Sequence, residues 1–286
     1  MPSRGLVLVH AHPDDEAIGT GGVMAKYADE GVHVCLVTCT NGELGEVADV
    51  PELGTVEEIA TRLGDVRRDE LRDACRHLGS IDLRMLGYRD SGMEGTEGNA
   101  DPRSFVNQDI EGPVRDVVTI LREVRPQVVV TYNEFGLYGH PDHIRAHAVA
   151  LDAVRRAADP SFAPELGPPH EVAKLYYTAV SRSFMRAGRE LAGELGFGDG
   201  YFTEDEIEAI GTDDAFITTT IDVSAFVDRK FAALEAHRTQ RGTTEMFLSI
   251  PERFRVFALG LEHYVLVQPR LSEGTRESDL FEGLVV

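Results

Sequence analysis

"GLVLVHAHPDDEAIGTGGVMAKYADEGVHVCLVTCT", residues 5–40, decides the fold. GLVLVHA is a short apolar run without polar alternation, which suits a strand covered on both faces of a parallel sheet. EAIGTGGVMAKYADEG follows with Ile18, Val23, Met24 and Tyr27 at helical spacing and stops at Gly31. VHVCLVTCT then reads as a second strand. Between the first strand and the helix the chain places His10, His12, Asp14, Asp15 and Glu16 within seven positions. Adjacent acids repel one another unless positive charge lies among them. A bound cation supplies that charge most simply, and other loops must then complete its ligands.

The alternation continues outward. TVEEIATRLGDVRRDELRDACRHLG (55–79) reads as one long helix, opened by a Thr55/Glu58 capping box and closed at Gly79. IDLRMLG (81–87) is a third strand, GPVRDVVTILREVRP (112–126) a helix and QVVVTY (127–132) a fourth strand. The pattern predicts an α/β fold with a doubly wound, mostly parallel sheet. In the less regular second half, EVAKLYYTAV (171–180), AFITTTIDV (215–223) and LEHYVLVQP (261–269) read as strands, and SAFVDRKFAALEAHRTQ (224–240) as a helix. The Pro-rich DPSFAPELGPPHE (159–171) is the expected hinge. The chain reads as a single domain over 1–286. Its metal-binding core spans 1–158, and a smaller α+β C-terminal portion over 171–270 completes the pocket.

Composition narrows the function classes. A net charge of −21 disfavours nucleic acid and anionic membrane surfaces as partners. The N-terminal apolar run is too short for a signal peptide, and no stretch approaches the ~20 apolar residues of a membrane span. Cys35, Cys39 and Cys75 form no CxxC pair and read as small buried hydrophobes. A cytoplasmic protein is expected. Oligomeric state is not written in the sequence.

In a parallel sheet, ligands gather beyond the carboxyl ends of the strands. HAHPDDE, TNGELGE, YRDSGMEGT and NEFGLYGHPDHIRAH follow the first four strands, so their polar groups share one rim. His12 and Asp15, three apart, reach one point if Asp15 opens the helix, leaving Asp14 free to face a water there. GHPDH (139–143) offers His140, Asp142 and His143, with Pro141 suited to the first helical position. His140/His143 and His143/His147 can each share a helix face. His143 belongs to both pairs, and spacing alone leaves the third ligand open. His147 reads better as a helix residue bonded to backbone, and His10 as packing behind the site. Two histidines and one carboxylate with an open position make a common catalytic zinc arrangement.

AHPDDE after an N-terminal strand, followed by GHPDH, resembles the LmbE-like, or PIG-L, family of zinc-dependent N-deacetylases. The likeness extends to TCTNGELGEV, RDSGM, RPQVVVTY, AKLYY and HRTQ. It is nearest to the branch of mycothiol deacetylases and mycothiol-conjugate amidases. The resemblance implies a Rossmann-like domain without nucleotide and one Zn2+ held by His12, Asp15 and His143. It further implies Asp14 as general base and His140 as the group that supports the oxyanion and protonates the leaving amine. Asp142 would orient His140, and Tyr138 would be a mobile donor. Arg67, Asp90 and, more weakly, Glu46 are the implied contacts to the sugar of a small N-acetyl amino-sugar substrate such as an N-acetylglucosaminyl-inositol. Gly19 departs from the branch, which carries a small polar residue or a lysine at that position.

Two other classes are weighed. GTGG does not fit GxGxxG, and acids stand where a pyrophosphate would approach, which disfavours dinucleotide binding. A carbohydrate-binding protein without turnover would have no use for Asp14 and His140.

Overall fold

The computed structural model describes residues 4–194, 202–269, 272 and 274–284. Its strands are β1 (Gly5–His10), β2 (His33–Thr40), β3 (Ile81–Tyr88), β4 (Val128–Thr131), β5 (Lys174–Ala179), β6 (Thr219–Asp222) and β7 (Leu261–Gln268). They form one seven-stranded sheet in the order β3-β2-β1-β4-β5-β7-β6. The first five strands run parallel, and β7 is antiparallel to both β5 and β6.

The apolar run at the N-terminus explains itself in this sheet. Leu6 and Leu8 enter the core on one face with Val34, Leu36, Val128 and Val130. Val7 and Val9 enter the core on the other face with Cys35, Val37 and Val129. Both faces of β1 are covered, so neither parity of its residues can be polar. Helices Gly21–Asp29, Leu63–Leu78 and Val227–Ala236 cover the first face, and Glu111–Val124 and Pro141–Ala157 the second. Cys35, Cys39 and Cys75 are buried free thiols.

Two predicted helices are divided. The capping box at Thr55 is formed, but the helix it opens ends at Ala60 and a second runs over Leu63–Leu78. Arg62 leaves helical geometry (φ −134°, ψ 23°) and donates to the Leu53 carbonyl at 2.6 Å. The break lets Ile59 and Leu63 close on Val50 as a small core of their own. The helix after β1 is likewise split at Thr20 (φ −141°), which lies 2.9 Å from His10 Nε2. Glu262 on β7 accepts from the Gly22 and Val23 amides at 2.8 and 2.9 Å, satisfying the start of the second segment.

The Pro-rich segment is fastened rather than hinged. The buried guanidinium of Arg122 donates to the carbonyls of Arg156, Ala157, Asp159, Ala163 and Gly167. The strand that follows, β5, pairs directly with β4, so one sheet runs through both portions of the chain. Arg122→Met would strip donors from five buried or half-buried carbonyls. It should lower stability by about 3 kcal/mol or more, read as a lower midpoint in urea. An unchanged midpoint would show that water replaces the guanidinium without cost.

The strand order reverses between β1 and β4, which places a crevice at their carboxyl ends. Every polar loop singled out above opens there or beside it.

Candidate active site

His12 sits in the loop after β1, and Asp15 opens the short helix Asp15–Gly19. His143 lies in the first turn of Pro141–Ala157, where Pro141 occupies the opening position and His140 caps the end. Two histidine nitrogens and both oxygens of Asp15 gather. His12 Nδ1 lies 3.4 Å from Asp15 Oδ2 and 3.3 Å from His143 Nε2, and His143 Nε2 lies 3.3 Å from Asp15 Oδ1. A tetrahedral divalent cation with bonds of about 2.0–2.1 Å separates its ligand atoms by about 3.3 Å. The two histidine nitrogens already have that spacing, and each has one oxygen of Asp15 at a similar distance.

Its orientation is set from behind. His12 Nε2 lies 3.2 Å from Asp142 Oδ2 and 3.7 Å from Asp90 Oδ1. With its proton on Nε2, donated to Asp142, His12 keeps the Nδ1 lone pair for the shared point. Tyr132 donates to Asp15 Oδ2 at 2.8 Å, lies 3.1 Å from His10 Nδ1 and stacks on His143 with ring centres 4.3 Å apart. Gly136 fits against His143: a Cβ there would lie 2.7 Å from His143 Cβ, and its φ of +65° favours glycine. Burial opposes a charged His12, yet Asp90, Asp142 and Asp15 together push its pKa well above the usual histidine value. The cluster draws positive charge to this point. The donor set and its charge therefore fit a divalent cation.

Asp142 is placed differently from the sequence expectation. Its carboxylate accepts from the Ser91 amide and hydroxyl and faces His12, not His140. Only the Asp142 backbone N–H reaches His140, donating to Nδ1 at 3.1 Å. The helix start causes this, because His140 is the cap and its ring nitrogen satisfies an otherwise unpaired amide. The neutral His140 ring then carries its proton on Nε2. Burial, with His12 and His143 close by, brings the His140 pKa down to about 4.

Asp14 has a backbone that L-residues rarely adopt, with φ 120° and ψ −30°. Such strain costs about 1–3 kcal/mol and persists only where neighbours enforce it. Two devices do so. Arg67 donates from Nη2 to both the Pro13 carbonyl and Asp14 Oδ2, the latter at 3.0 Å, and from Nη1 to the Gly42 carbonyl at 2.7 Å. Glu16 Oε2 accepts the Asp14 amide at 2.9 Å, while Glu16 Oε1 lies 2.7 Å from His237 Nε2, both residues fully buried. Burial raises the Asp14 carboxyl to about 6 against the pull of Arg67.

The residues expected to hold a sugar are thus unequal. Arg67 lines the pocket but its terminal nitrogens are engaged with Asp14 and two carbonyls. Asp90 is a buried wall residue whose oxygens accept from Leu44 N at 3.2 Å and Gly92 N at 2.8 Å. Glu46 is exposed at the rim, and its carbonyl accepts from the buried amide of Gln240 at 2.8 Å. Tyr138 is 46% exposed and meets His143 edge-on, on a loop where Leu137 takes φ 65° and ψ −62°. His147 donates from Nδ1 to the Tyr132 carbonyl at 2.9 Å and stays out of the cluster.

Tyr132, His237 and Gln240 escaped the sequence reading as site residues. HRTQ carried the only signal for the last two. It lies 221 positions beyond Glu16, and only the folded chain brings His237 behind the loop.

The pocket has a volume of about 430 Å³; His12, Asp14, Asp15, Arg67, His140 and His143 open onto it, whereas Asp142, His147, Glu16 and His237 stand behind it. Residues 7–154 match the family described as GlcNAc-PI de-N-acetylase, PIG-L. The chain is 47% identical over 293 residues to a 1D-myo-inositol 2-acetamido-2-deoxy-alpha-D-glucopyranoside deacetylase from Geodermatophilus obscurus, covering 99% of each chain. It is 45% identical to a deacetylase of the same name from Catenulispora acidiphila, covering 99% of this chain and 90% of the relative. Among solved structures, the N,N'-diacetylchitobiose deacetylase from Pyrococcus horikoshii superposes with a TM-score of 0.61 at 22% identity, over 93% of this chain and 84% of that one. A 4-carboxy-2-hydroxymuconate hydratase from Pseudomonas putida superposes equally well, at a TM-score of 0.61 and 17% identity over 94% and 98%. The fold is therefore shared by different chemistries, and the site must carry the functional argument.

Proposed function

The chain belongs to the GlcNAc-PI de-N-acetylase (PIG-L) family, and from that premise we propose that it hydrolyses the acetamide of an N-acetylglucosaminyl-inositol, releasing acetate and the free amine. The observation that carries the reading is the His12–Asp15–His143 triangle with Asp14 beside it, in a chain similar over its whole length to deacetylases of that substrate.

His12, Asp15 and His143 would hold the divalent cation, zinc in our reading. Bound there, zinc supplies Lewis-acid polarisation of the carbonyl and makes water a competent nucleophile near neutral pH. Asp14 takes the proton of the attacking water, and Arg67 keeps its carboxylate aimed. His140 presents its Nε2–H as a hydrogen bond to the oxyanion that develops on the acetamide, and the proton that Asp14 took from the water passes to the departing nitrogen. Tyr138, exposed on its loop, is a second donor to the oxyanion. Asp90 and Glu46 face the sugar from the wall and rim of the pocket. Asp142 acts on His12, holding the ring that ligates.

Incubating the zinc-loaded protein with the N-acetylglucosaminyl-inositol should give acetate and primary amine in equal amounts. A chelator should stop the reaction and added zinc restore it. Absence of acetate under zinc saturation would overturn the reading. Asp142→Ala should weaken metal binding by about 10–100-fold, measured by competition with a chromogenic chelator. Unaltered metal affinity would leave Asp142 no part in orienting His12.

No described helix is long and apolar enough to cross a membrane.

A further inference from the structure

We propose that His237 is a positioning residue for the base: through Glu16 it holds the strained Asp14 peptide, so that the Asp14 carboxylate stays aimed at the attacking water. The proposal rests on reading the site as an amide hydrolase with Asp14 as its base. The Asp14 amide donates to Glu16 Oε2 at 2.9 Å, and Glu16 Oε1 meets His237 Nε2 at 2.7 Å. Among the described residues no other group reaches the Glu16 carboxylate, which is fully buried. A carboxylate taken out of water keeps its charge only with partners of this kind. Burial opposes charge on His237, yet Glu16 and Asp14 raise its pKa above the usual histidine value, which sets a cation against the buried acid.

His237 does not line the pocket, so it acts through what it holds. It caps the carboxyl end of helix Val227–Ala236, where a cationic ring is favoured. That helix is fixed in place. Arg229 donates to the His77 and Leu78 carbonyls, and Lys230 pairs with Glu262 at 2.6 Å. Two residues beyond His237, Thr239 donates from its amide and hydroxyl to Glu70 at 3.0 and 2.7 Å. Glu70 and Arg67 are three apart on helix Leu63–Leu78 and share a face. Two grips on Asp14 are thus mounted on one frame: Arg67 on the carboxylate, and Glu16 with His237 on the amide. Without the second grip the Asp14 N–H would be a buried donor lacking an acceptor. The φ of 120° would relax toward commoner values and turn the carboxylate away.

The test separates this role from general support of the fold. His237→Leu should lower kcat by about 10–100-fold, with KM and zinc affinity close to the parent's. His237→Gln, whose amide nitrogen can donate to Glu16 from the place of Nε2, should recover most of that loss. On an Asp14→Asn background, His237→Leu should cost little more, because the base it serves is already gone. Parental kcat in His237→Leu would overturn the proposal. So would an equal loss on the Asp14→Asn background, or a loss explained by missing zinc. Hydrogen exchange at the Asp14 amide, followed by NMR, needs no turnover. It should quicken by at least about tenfold in His237→Leu with the β1 amides unchanged. An unaltered rate, or an acceleration shared by β1, would also sink the assignment. If His237→Leu does not fold, the Glu16→Leu/His237→Leu protein replaces it under the same expectations, since exchanging the whole buried pair for hydrocarbon leaves no lone charge. Absence of acetate release by the unmodified enzyme would instead strike the proposed function and leave the exchange rates readable.

Discussion

Replacing Asp14 with asparagine lowers kcat by about 10²–10⁴-fold while the protein still binds its metal. The amide fills the same space and can accept the Arg67 hydrogen bond, but it cannot take a proton from water. Asparagine also tolerates positive φ better than most residues, so it suits the φ of 120° found at this position. The effect therefore falls on chemistry and not on folding. Elemental analysis checks the metal, and steady-state kinetics checks the split, with KM moving far less than kcat. A variant within a few-fold of the parent would remove Asp14 from the role of base.

His143→Gln has a different signature. His12 Nδ1 and the Asp15 carboxylate remain, and the side chain still fills the space between Tyr132 and Tyr138, whose rings lie 4.3 and 5.0 Å from that of His143. Metal affinity should fall by more than about 100-fold, beyond the range expected for an outer partner such as Asp142, and activity should fall with it. Stoichiometric metal bound at the parent affinity would rule His143 out as a ligand. Together the two variants separate the group that works on the water from a group that holds the cation.

Much of this was legible because local rules governed it. The unbroken apolar run of β1 required cover on both faces. Thr55 and Glu58 formed the capping box they spelled, and Pro141 opened its helix. The helix breaks at Thr20 and Arg62 were not legible, since helical periodicity continues through both. Long-range contacts made them: Thr20 to His10 and Glu262 to the helix start in one case, and the Val50–Ile59–Leu63 core in the other. Arg67 shows the same limit at the site. The family resemblance marked it for the sugar, but not for Asp14, because what it touches depends on how the Gly42 loop folds over it. At Gly42, with φ +67°, a Cβ would lie 2.5 Å from the guanidinium.

The sequence by itself determined the alternation of strand and helix, the gathering of polar loops on one rim, and the residue types able to bind a cation. Periodicity and turn chemistry act over a few residues, and those are written in order along the chain. Only the tertiary structure decided that Asp142 serves His12, that His237 backs Glu16, and that Arg67 holds Asp14. Each of these joins residues far apart in the chain, and their pairing is fixed by sheet order and packing, which no local pattern encodes.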